Sequence, residues 1–151
     1  MVSRASIAGH PIHPMLVPIP IGLFAFTFIA DLATRFGWGG SAWPDVAFYC
    51  MGGGIAGALV AAVFGYLDYR SLTDPQVGKL ANTHRLVVLG AVVLFIINFV
   101  MRWKGADATQ TLPLVLTLAG ILLLLVGGWL GGHLVFVHGV AVTQSNRARQ
   151  G

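Results

Sequence analysis

The sequence predicts an all-α protein, an integral membrane four-helix bundle with short connections, and places residues 1–151 in one transmembrane domain. Three observations carry this expectation. Only 9% of the residues are charged and 56% are hydrophobic, whereas a soluble domain carries about 25% charge. The mean hydropathy is +0.81. Four stretches lack charge altogether: Met15–Ala30, Val46–Leu67, Leu86–Met101 and Ala108–Gln144. A membrane span needs about 20 mostly apolar residues, so the first and third stretches must borrow flanking residues.

The elements follow in order. Helix one is expected over residues 14–36, after the proline-rich opening GHPIHPMLVPIPIG. No small-residue cleavage site follows its apolar run, so the helix is expected to remain in place. Its Asp31 and Arg35 stand four apart, the spacing of a local ion pair. Helix two is expected over 45–70, with Pro44 beside its start. Helix three follows over 75–102, with Asp74 as N-cap and Pro75 at the first helical position. The last stretch is too long for one span and too short for two with a polar turn. It reads as one helix, 112–138, opened by Thr111 and Pro113.

Small residues mark the helix contacts. Gly53, Gly57, Ala61 and Gly65 recur every four residues on helix two, and Gly120, Gly127 and Gly131 repeat the theme on helix four. Such stripes let backbones approach closely. They serve plain helix packing, clearance for a flat cofactor, or contact with another membrane protein or a second copy.

An even number of spans puts both termini on one side. That side then holds Arg4, Arg70, Lys79, Arg85, Arg147 and Arg149, against Arg35, Arg102 and Lys104 opposite. The positive-inside rule makes the terminal side cytoplasmic, with anionic lipid as the partner of the +4 net charge. No nucleic-acid-binding module is present. The single cysteine, Cys50, excludes an intramolecular disulfide and reads as a small buried hydrophobe.

Projected onto this topology, all five histidines fall in the terminal half. His10 and His13 precede helix one, His84 lies two turns into helix three, and His133 and His138 end helix four. His10, His13 and His138 have ordinary roles open to them at headgroups and helix ends. His84 and His133 are flanked by apolar turns, where an ionisable side chain faces the bundle interior and has a partner. Asp68 and Asn82 are placed to accept an imidazole N–H. Arg70 and Arg85 are placed to neutralise acidic groups of a cofactor, or to pair with Asp68 and Asp74.

Neutral imidazole suits zinc, copper, iron and nickel, and paired imidazoles in a small membrane bundle suit haem. The CxxCH signature of covalent attachment is absent, so the haem would be b-type. The leading expectation is therefore a haem b electron carrier rather than a catalyst, with His84 and His133 as the first axial pair. One haem is expected, and five histidines arithmetically allow two. The alternatives are a protein that binds or transports a transition-metal ion through three or four of these histidines, and a non-catalytic scaffold subunit. No Ser–His–Asp arrangement, HExxH or phosphate loop supports an acyl- or phosphoryl-transfer enzyme.

GHPIHPMLVPIPIGLFAFTFIADL at the start, HRL in helix three and GGHLVFVHGVAV at the end resemble the membrane family named domain of unknown function 2231, over nearly the whole chain. The resemblance implies a four-span protein of the bacterial inner membrane. Some relatives are joined to a Rieske-type iron–sulfur domain, which implies a redox setting, with a redox protein or a quinone as partner. Cys50 alone cannot supply the two cysteines of a Rieske cluster.

Overall fold

The computed structural model describes residues 5–142. Arg4, Arg147 and Arg149, counted above for topology, lie outside the described residues. Four helices long and apolar enough to cross a membrane account for most of the chain. The first begins earlier than expected and carries a break. A two-stranded antiparallel hairpin, β1 (Ser6–Ile7) and β2 (His10–Pro11), leads directly into α1 (Ile12–Leu16) and α2 (Pro18–Phe36). The break at Val17 has a covalent cause. Pro18 and Pro20 have no N–H to give to the preceding turn. Val17 N still donates to His13 O and Ile21 N to Val17 O, so the chain stays helical through the break and the pair forms one span. Gly37, in the left-handed region at φ 68°, ends α2.

Next come α3 (Trp43–Tyr69), α4 (Pro75–Trp103) and α5 (Thr111–Phe136). The Asp74 cap is present: its carboxylate accepts from the backbone N–H groups of Gln76 and Val77, with Pro75 at the first turn. Asp74→Ala is expected to cost about 0.5–2 kcal/mol, read as an earlier midpoint when helix loss in SDS is followed by far-ultraviolet circular dichroism. The fourth apolar stretch forms one unbroken helix opened by Thr111.

The helices pair as two hairpins. α2 packs closely on α3 and α4 on α5, while the hairpins touch each other more sparsely. Large apolar side chains such as Ile29, Leu59, Leu89 and Leu125 face outward, toward the lipid tails. The core is small, built on Phe24, Met51 and Phe95. Phe24 and Phe95 stack across the seam with ring centroids 3.9 Å apart and planes 11° from parallel.

Two glycines serve this packing directly, Gly54 beside the helix-two stripe and Gly120 within the helix-four one. A Cβ on Gly54 would stand 2.7 Å from Phe24, and one on Gly120 would stand 2.8 Å from Phe95. Neither ring can retreat, because each is held by the other. Gly120→Ala is therefore expected to destabilise the bundle by about 1–3 kcal/mol, measured in the same SDS titration.

Candidate cofactor site

The two hairpins share key positions at constant offsets. Positions on α1–α2 recur 71 residues later on α4: His13 and His84, Phe24 and Phe95, Asp31 and Arg102. Positions on α3 recur on α5 at a constant offset as well: Gly54 and Gly120, Ala61 and Gly127, Gly65 and Gly131. The contacts recur with them. The His13 Nδ1–H donates to Ala61 O at 2.8 Å, and the His84 Nδ1–H donates to Gly127 O at 2.8 Å. A carbonyl has no proton to give, so in each neutral ring the proton sits on Nδ1. Each ring then lies over the glycine one turn further along. A Cβ on Gly65 would meet the His13 ring at 2.9 Å, and one on Gly131 would meet the His84 ring at 3.1 Å.

Equivalent positions touch each other at Phe24–Phe95 and Asp31–Arg102. A residue that contacts its own counterpart lies on a two-fold axis. Because α2 and α4 run in the same direction, that axis lies along the bundle, the arrangement of parallel repeats in membrane proteins. His13, Phe24 and Asp31 are separated by near-whole helical turns, as are His84, Phe95 and Arg102, so each trio shares one face. The histidines therefore stand toward the same axis at the terminal end. Both rings are half-buried. Neither Nε2 has a hydrogen bond among the described residues. Each neutral ring thus keeps one nitrogen without a hydrogen bond, on the face turned to the seam.

The remaining residues expected at the site lie elsewhere. His10 is exposed on the hairpin, with Nδ1 against Ala8 O at 3.1 Å. His133 and His138 are exposed, and their ring centroids stand 5.2 Å apart. His133 lies two residues beyond Gly131, off the face of α5 that receives His84. The carbonyls of Ala61 and Gly127 take the imidazole protons, rather than Asp68 or Asn82. Asp68 is buried and accepts from Ala5 N at 3.5 Å, tying the N-terminal hairpin to the end of α3. Arg85 donates to Asn82 Oδ1 at 2.7 Å and lies over the Tyr69 ring. Arg70 is exposed at the end of α3. Among the described residues, no group of three or more His, Cys, Asp or Glu side chains is placed to hold a metal ion.

A second polar cluster, unforeseen in the sequence, occupies the other half of the axis. Asp31 is not paired with Arg35, as the spacing within helix one led us to expect. Its Oδ2 accepts from Arg102 Nη2 at 2.7 Å and from Thr117 Oγ1 at 2.6 Å. Asn98 donates to Thr117 Oγ1 and to Pro113 O, both at 2.8 Å, and its Oδ1 accepts from Arg102 Nε at 3.2 Å. The side chains of Arg102 and Asp31 are 2% and 0% exposed. Arg35 instead donates to Thr109 O at 2.8 Å. The constant offset between the two halves is the signal that would have exposed both this cluster and the equivalence of His13 and His84.

A family model described as a predicted membrane protein (DUF2231) matches residues 9–144. No curated protein and no solved structure matches the chain.

Proposed function

The chain belongs to the DUF2231 family of predicted membrane proteins, and on that footing we propose that it binds one haem b through His13 and His84 and carries electrons within the membrane. One observation carries the reading. Two imidazoles stand at equivalent positions of a repeated hairpin, each with Nδ1–H fixed on a carbonyl and Nε2 left with a lone pair. His13 and His84 would hold the haem through their Nε2 atoms, one imidazole from each hairpin. Cofactor sites in helix bundles are built this way, from side chains on facing helices. His13 replaces His133 as the partner of His84, because His133 is exposed and has no equivalent on the other hairpin.

The bound haem would supply a one-electron couple. The protein's own contribution is to orient the two imidazoles, fix their tautomer and strengthen them as donors through the carbonyl contacts. The apolar stack of Phe24 and Phe95 closes the seam toward the membrane centre. The proposed setting is the bacterial inner membrane with both termini cytoplasmic. Removing Arg102 from the charge comparison, since it is buried against Asp31, leaves only Arg35 and Lys104 opposing the basic residues of the terminal side. The electron partner would be a redox protein or a quinone.

The test is the absorption spectrum of protein produced with ample haem, oxidised and then reduced. A Soret band that moves on reduction is expected. Protein that purifies with full helicity and no such band overturns the reading.

A further inference from the structure

We propose that His133 and His138 form a separate surface site for a divalent transition-metal ion at the cytoplasmic end of α5, independent of the haem reading. His133 sits in the last turn of α5 and His138 just beyond it. Gly139, at φ 63°, turns the chain there, and its N–H donates to Val135 O at 3.1 Å while Val140 N donates to Leu134 O at 3.0 Å. This turn folds His138 back over His133, so that the rings meet edge to face at 71° with centroids 5.2 Å apart.

Three features make the pair a metal site rather than a packing contact. Both rings are exposed, and none of their nitrogens has a hydrogen bond among the described residues. At this centroid separation, small side-chain rotations bring one nitrogen from each ring to about 2.0–2.1 Å from a shared ion. The ion would also sit at a helix C-terminus, where the negative end of the helix dipole favours a cation. Imidazole selects the borderline ions, copper(II), nickel(II) and zinc(II), over magnesium or calcium. Water fills the remaining positions.

The test is calorimetric titration of NiCl2 into untagged protein in detergent. One ion per chain is expected. His133→Ala and His138→Ala should each weaken binding by at least about tenfold, while the double variant His13→Ala/His84→Ala should bind as the unaltered protein does. Both surface substitutions leave the buried packing untouched, so helicity should not change. Absence of nickel binding, or binding that survives loss of both His133 and His138, overturns the proposal. So does binding lost only with His13 and His84. The haem spectrum plays no part in this readout, so the two proposals fail separately.

Discussion

Replacing Arg102 with alanine is expected to destabilise the bundle by about 3–5 kcal/mol, as breaking one partner of a buried ion pair does. The cause is the group left behind. Asp31 is fully buried, and its Oδ2 accepts from Arg102 Nη2 and Thr117 Oγ1. Without the guanidinium, a carboxylate would stand among apolar side chains with one hydroxyl, where water cannot compensate. Asn98 Oδ1 would lose its donor in the same step. Asp31→Ala should cost a similar amount for the mirrored reason. The double variant Asp31→Ala/Arg102→Ala should recover part of the loss, because no orphaned charge remains. SDS-induced unfolding followed by circular dichroism checks the cycle. If the double variant is no better than the sum of the single ones, the pair is not coupled as described. The exchange Asp31→Arg/Arg102→Asp sharpens the point. The two positions are equivalent, but Thr117 and Asn98 have Met51 and Thr27 as counterparts. An exchanged guanidinium would lack its supporting hydrogen bonds, so the exchanged protein should fall between the unaltered protein and the single variants.

How much of this was legible in the sequence depends on whether a feature is local. The uncharged stretches and their flanking signals located the four spans. Asp74–Pro75 and Thr111 mark helix starts through chemistry contained in a few residues, and both starts are present. Which face a side chain occupies is not local. α5 is apolar all round, so no polar stripe in its sequence separates the face that receives His84 from the face that carries His133. The sequence therefore put all five histidines at one end of the bundle but did not show that only His13 and His84 turn toward the seam. Asp31 misled for a related reason. Its spacing to Arg35 matches a helix-surface pair, and such a pair contributes only a few tenths of a kcal/mol. A carboxylate buried in an apolar bundle needs a stronger partner, and Arg102, its counterpart in the second hairpin, meets it at the axis. The repeat is masked because counterparts differ in chemistry within the buried polar half: Asp31 opposes Arg102, and threonine at position 27 becomes asparagine at 98.

Substituting asparagine for either His13 or His84 is expected to abolish the haem spectrum while leaving the fold in place. The choice of residue separates ligation from tethering. In the present arrangement each Nδ1–H donates to a backbone carbonyl, and losing such a bond costs about 0.5–1.5 kcal/mol. Asparagine keeps an N–H donor at nearly the Nδ1 position, so His84→Asn retains the link to Gly127 O but presents no nitrogen where Nε2 stood. Alanine loses both. If the histidines only join the helices, the asparagine variants should resemble the unaltered protein and the alanine variants should be weaker. If they are the axial pair, both kinds of variant should lose the reducible Soret band, and only the alanine variants should also lose stability. The two-fold relation adds a stricter demand. Position 13 and position 84 should respond alike, because in the proposed site each would hold the same haem. His10→Asn, His133→Asn and His138→Asn should keep the band. A spectrum that survives His84→Asn but vanishes with His133→Asn would show that the imidazoles facing the seam are not the ligands.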